Sequence, residues 1–156
     1  VFSKNNFYIT LDVSNYPEKH KDILYIARLI CYKKYPAYND TKRKVDFLTA
    51  SPKTLGTYAL TIDSIKPKIE AANFEEKKWL GRYRYLKIKI EDEESKISNY
   101  RATVNGKWIL MEYDYKTKTL THDFNDGVIT EAKNNLKIIV TDNVGNNSTF
   151  EALFYR

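Results

Sequence analysis

Asn105-Gly106 separates two runs of strand-like sequence, 97–104 and 108–115, and no other feature of the chain restricts its fold as tightly. Both residue types tolerate positive φ at little steric cost, and a two-residue hairpin needs that twist to match its flanking strands. A second turn, Asp142-Asn143-Val144-Gly145-Asn146-Asn147, stands between the runs 136–141 and 148–155. The C-terminal half is therefore expected to be antiparallel β-structure.

Period-two alternation extends that expectation along the chain. Leu86, Ile88 and Ile90 alternate with Lys87, Lys89 and Glu91, and Leu136, Ile138 and Val140 form a second inward row. Strands are predicted over 68–74, 83–91, 97–104, 108–115, 119–124, 136–141 and 148–155, a spacing that fits an immunoglobulin-like sandwich. Helix is limited to a single turn over 131–135. The first half offers strands over 7–13, 23–31, 44–50 and 57–63, few for an independent sandwich. Either strands are missing upstream of Val1 or the half borrows them from its neighbour. At Asp63-Ser64-Ile65-Lys66-Pro67 the pattern breaks, since proline cannot donate to a ladder. The domains are placed at 1–66 and 67–156. The fold class is all-β, tandem immunoglobulin-like or fibronectin-like antiparallel β-sandwiches, the first one incomplete.

Composition agrees with a folded, sheet-rich chain: of 156 residues, 14% are aromatic and 13 are Tyr, against 5 Gly and 4 Pro. No apolar run is long enough to span a bilayer, and no signal peptide opens the chain. Val1 in place of Met suggests a processed or trimmed piece of a longer protein. The lone Cys31 excludes an internal disulfide and reads as a small buried hydrophobe. The net charge of +6 is uneven, because eleven basic and six acidic residues fall in 1–66. Lys33, Lys34, Lys42, Arg43 and Lys44 lie among Tyr32, Tyr35 and Tyr38. This stretch reads as a solvated loop whose tyrosines cover the sheet, with docking of an anionic polymer as the rival reading. Nucleic acid is not expected, since no helix-turn-helix or RNA-motif signature accompanies the charge.

No catalytic or metal constellation emerges. His20 and His122 are the only histidines. His122 and Asp126 have a His-x-x-x-Asp spacing, but a catalytic zinc needs about three protein ligands, so His122 is read as a surface histidine whose side chain need not meet Asp126. The run Glu91-Asp92-Glu93-Glu94-Ser95 lacks the ordering that closes a loop around calcium and reads as a solvated turn. Asp142, Asn143, Gly145 and Asn146 are explained by side-chain bonding to the turn backbone. Phosphate-cradling glycine loops and activated nucleophiles are absent from the sequence. The residues best able to contact a partner are Trp79, Tyr113 and Tyr115, together with the five basic residues above. On 108–115 one face carries Trp108 and Leu110, the other Ile109, Met111, Tyr113 and Tyr115. Trp108 is read as core, while Tyr113 and Tyr115 stand open between core and contact.

Tyr100-Arg101-Ala102-Thr103-Val104-Asn105-Gly106-Lys107-Trp108-Ile109-Leu110, Tyr113-Asp114-Tyr115, the run 136–142 and Gly145-Asn146 resemble the C-terminal region of lysostaphin-type zinc metallopeptidases from Bacteroidetes. Gly56-Thr57-Tyr58 and 63–67 resemble the end of the sandwich preceding it. The resemblance implies a peptidase domain elsewhere in the parent protein, cleaving peptidoglycan cross-links with zinc held by His-x-x-x-Asp and His-x-His motifs. This chain has no His-x-His, so zinc roles are not carried onto His122 and Asp126. The implied role is a noncatalytic accessory segment of a cell-envelope or secreted enzyme, holding no cofactor of its own. Its implied partners are the parent's catalytic domain and a cell-wall polymer. Rival readings are a stand-alone carbohydrate- or peptidoglycan-binding module and an adhesion or spacer domain.

Overall fold

The computed structural model describes residues 7–30 and 32–156. Cys31, read above as a buried hydrophobe, lies outside the described residues. The chain forms two compact units, one of Val1–Ile65 with the loops Glu93–Lys96 and Asn143–Asn146, the other of Lys66–Asp92, Ile97–Asp142 and Asn147–Arg156. The fold is all-β, two β-sandwiches in tandem, and no described helix is long and apolar enough to cross a membrane.

In the second unit, β8 (Lys78–Trp79), β10 (Ile97–Val104), β11 (Lys107–Trp108), β14 (Lys133–Asp142) and β15 (Asn147–Tyr155) form a sheet in the order β11-β10-β14-β15-β8. A second sheet, β12-β13-β9-β7, contains β7 (Lys68–Ala71), β9 (Tyr85–Glu91), β12 (Glu112–Asp114) and β13 (Thr119–Asp123). The alternating rows supply the core between them: Leu86, Ile88 and Ile90 from β9, Leu136, Ile138 and Val140 from β14. The Asn105-Gly106 hairpin is present, with Val104 paired to Lys107 and φ of 49° and 80° at the two turn residues. Two expectations fail here. The predicted strand over 108–115 is two strands in different sheets, because the chain crosses from β10's edge to β13's edge through Ile109, Leu110 and Met111. The predicted helical turn over 131–135 is not helical, since β14 begins at Lys133; the unit's turn of 3-10 helix is Phe124–Asp126. The strand β8 was unforeseen, two residues being too short to show a period.

Among its described residues the first unit has six strands where four were predicted. β1 (Ile9–Asp12), β5 (Phe47–Ala50) and β4 (Thr41–Lys44) form one sheet in the order β1-β5-β4. β3 (Tyr35–Tyr38), β2 (Leu24–Ile30) and β6 (Thr57–Ile62) form the other, β3-β2-β6, and a single turn of helix, α1 (Glu18–Lys21), links β1 to β2. Leu24 and Ile26 of one sheet pack with Leu48 and Ala50 of the other and with Val13. The basic stretch is an exposed turn only at Lys33 and Lys34, because β3 and β4 occupy the rest. Both lie at sheet edges, where charge and proline block pairing with another chain, and Pro36 sits on β3. The loops Glu93–Lys96 and Asn143–Asn146 bind at Asp63. Its buried carboxylate accepts from the backbone N–H groups of Ile65 and Ser95, each at 3.0 Å, and its carbonyl accepts from Asn146 Nδ2 at 3.0 Å.

Candidate functional site

Parity along β4 decides what the basic residues can do together. Lys42 pairs with Thr49 and Lys44 with Phe47, so both point away from the core, while Arg43 points the other way and donates from Nη2 to the Leu24 carbonyl at 3.4 Å. Lys33 and Lys34 belong to the turn before β3, with the Lys33 ammonium 5.9 Å from the Tyr32 ring centre. The five therefore do not form one face. Parity puts Lys42 and Lys44 on one surface and Arg43 on the other.

Trp79 is 65% exposed on β8 and stacks on Tyr155 at 5.3 Å between ring centres and 26° between planes. Backbone bonds hold this pair in place: Lys77 N–H donates to the Leu153 carbonyl at 2.6 Å and Leu80 N–H to the Tyr155 carbonyl at 2.7 Å. The Lys78 ammonium lies 5.6 Å from the Tyr83 ring centre beside them. Tyr115 is exposed in the turn after β12. Tyr113 instead packs half-buried against the core, 6.0 Å from Tyr100, and burial pushes its phenol pKa up. Trp79 stands at the β8 edge of one sheet and Tyr113 at the β12 edge of the other, so they share no platform. Tyr155, the partner of Trp79, was missed because its pairing depends on the parallel register of β8 with β15.

Trp108, read as core, is 59% exposed. Its register explains why: Trp108 pairs with Thr103, whereas Ile109 N–H donates to the carbonyl of buried Ala102 at 3.1 Å. A one-residue change of register reverses every face, and here it puts Ile109 and Met111 inside and Trp108 and Leu110 outside. Both ends of the five-stranded sheet therefore terminate in a Lys-Trp pair with an exposed indole.

His122 is also corrected, being 1% exposed. It continues the inward row of Leu120, its Nδ1 donates to the Leu110 carbonyl at 2.9 Å, and its ring meets Phe124 edge-on at 5.5 Å. Asp126 does converge on it, Oδ2 lying 3.7 Å from Nδ1. Nε2 is buried without a hydrogen-bond partner among the described residues. A cleft of about 200 Å³ lies alongside, lined by Tyr85, Glu112, His122 and Asp126. Arg84 donates to Asp123 from Nε and Nη2 at 3.2 and 3.0 Å, while the backbone N–H of Asn125 donates to the other carboxylate oxygen. That backbone bond first, and Arg84 second, hold the Asp123 carboxyl below its ordinary range. The acidic turn is corrected as well. Asp92 is buried, not solvated, and its carboxylate lies within 4.8 Å of that of buried Asp142.

The chain matches no protein-family model and no curated protein sequence. A solved structure, described as "Structures of Clostridium thermocellum CbhA fibronectin(III)-like modules", is similar over 98% of this chain and 86% of that one, at 10% sequence identity and a TM-score of 0.43.

Proposed function

We propose that this chain is a noncatalytic accessory segment, a pair of β-sandwiches that positions a catalytic domain of its parent protein or docks it on a cell surface. The observation that carries the reading is the exposed Trp79–Tyr155 stack, a flat aromatic surface fixed by backbone bonds at a sheet edge, outside any deep cleft. Such surfaces gain affinity by covering apolar area while ordering few torsions, which suits docking rather than chemistry. The finer reading, a bacterial cell-envelope or secreted zinc metallopeptidase as parent and peptidoglycan as the polymer met, rests on the resemblance of 100–115 and 136–146.

Sedimentation with purified peptidoglycan tests it. The chain is expected to pellet with the polymer, to lose most of that binding in Trp79→Ala, and to release no soluble fragments with or without zinc. Release of peptide fragments would overturn the noncatalytic reading. Failure to pellet at both low and high salt, or pelleting indifferent to Trp79→Ala, would overturn docking through this surface.

A further inference from the structure

We infer that the outer face of the β1-β5-β4 sheet carries a binding cleft for an uncharged saccharide, centred on Tyr8 and Asp40. The register brings its parts together. Ile9 pairs with Ala50 and Ala50 with Thr41, and the ladder continues outward, since Phe7 N–H donates to the Pro52 carbonyl at 3.3 Å. Tyr8, Ser51 and Asp40, one residue beyond those pairs, therefore fall in one row across the three strands. Two residues further along each strand, Thr10, Thr49 and Lys42 form the next row on the same outward face. The Thr10 and Thr49 hydroxyls meet at 3.0 Å, which fixes that face as shared. Between the rows lies a cleft of about 360 Å³ lined by Tyr8, Asn39, Asp40, Lys42, Thr49 and Ser51. That volume is within the range of small-ligand sites.

The lining chemistry selects the ligand. Tyr8 is 75% exposed and lines the cleft, so its ring is left open to a ligand rather than packed on the core, whose inward row is Ile9 and Leu11. A sugar ring can lie on such a face through its axial C–H surface, as other apolar bodies do. Around it stand one carboxylate, one ammonium, two hydroxyls and an amide. Asp40 and Lys42 make no ion pair among the described residues. Asn39 spends Nδ2 on the Ala37 carbonyl at 3.1 Å, which sets the orientation of its amide. A hydroxyl donates and accepts, so neighbouring hydroxyls can give a proton to Asp40 and take one from Lys42, both charge-assisted bonds. The two charges have opposite sign, so an anionic ligand would gain at Lys42 what it loses at Asp40. The cleft belongs to the first unit and owes nothing to Trp79.

Calorimetric titration of the whole chain with cellohexaose, mannohexaose and N-acetylchitohexaose tests the inference. At least one is expected to bind with an affinity that stays level between about 50 and about 500 mM salt, because no net charge is neutralised. Tyr8→Ala and Asp40→Ala should each weaken it by about tenfold or more at unchanged melting temperature, while Tyr8→Phe retains binding and Trp79→Ala leaves it as it was. Backbone amide resonances of Thr49 and Ser51 should shift on titration. No binding by any of the three sugars, or binding that survives Tyr8→Ala and Asp40→Ala, or binding that falls only with Trp79→Ala, would overturn it.

Discussion

Gly106 at φ 80° beside Asn105 at φ 49° makes both turn positions left-handed, the geometry a two-residue hairpin joins without splaying its strands. A Cβ at Gly106 would meet nothing within 4 Å, so a substitution there is opposed by backbone strain alone. Gly106→Val is expected to destabilise the second unit by about 1 to 3 kcal/mol in urea denaturation, and an unchanged midpoint would disprove the strain. Val45 makes the reverse case. It turns the β4–β5 hairpin at φ 50° with a β-branched side chain that is exposed, so it carries strain and contributes no burial. Val45→Asn should stabilise the first unit by about 1 kcal/mol. At His122 the sequence held more than spacing suggested: Leu120 and His122 share the inward parity of β13, buried Phe124 follows in the next turn, and that row places the imidazole in the core. Polarity misled because a histidine at a strand end is ordinarily wet. His122→Ala leaves the Leu110 carbonyl without its donor and opens space beside Phe124, for an expected loss of about 2 to 4 kcal/mol. Elemental analysis of the purified chain should find no stoichiometric zinc, His122 being the second unit's sole histidine.

At the scale of elements, the long alternating strands were legible and the short edge strands were not. β9, β10, β14 and β15 each run for seven residues or more, enough repeats of the period to stand out. β4 reads Thr-Lys-Arg-Lys, a composition depleted in strands, and was taken for loop. Its position supplies the reason for that composition. An edge strand exposes unpaired N–H and C=O groups, and lysines there deter a second chain from adding to the sheet. Lys42→Thr with Lys44→Val should therefore leave unfolding of the first unit within about 0.5 kcal/mol of the parent while promoting concentration-dependent association, read by light scattering. A doubly substituted chain that stays monomeric at high concentration would remove the protective role. The candidate surfaces were legible only in part for a related reason. Trp79 was recognisable as a large ring near a turn, but its stacking on Tyr155 and the Tyr8–Asp40 row arise from cross-strand register, which a linear pattern does not carry.

Across the whole molecule, each unit has its own core, and the carboxylates with depressed pKa are unequally shared between them. Asp12 lies in the first unit; Glu70, Glu91, Asp114 and Asp123 lie in the second. Glu70 is lowered chiefly by Lys68, Glu91 by its hydrogen bond from Lys118, Asp114 by the Lys116 backbone N–H, and Asp123 by that of Asn125. A carboxyl whose folded pKa lies below its unfolded one binds protons more readily when unfolded. Its stabilisation is therefore complete above the unfolded value, about 4, and is lost as pH falls through the folded value. Lys21, Lys68 and Arg84 are raised by their acidic partners, and what they contribute is lost only at strongly alkaline pH. Below about pH 4 the second unit should thus weaken more steeply than the first. Hydrogen exchange followed by mass spectrometry separates them, comparing peptides within 68–92 and 133–155 with peptides within 24–62. Asp123→Asn should flatten the acid loss of the second unit, since Asn cannot gain the proton and its side-chain oxygen can still accept from Asn125. Equal acid sensitivity in the two units, or an Asp123→Asn profile parallel to the parent's, would show that these exposed carboxylates are screened too well by solvent to govern acid stability.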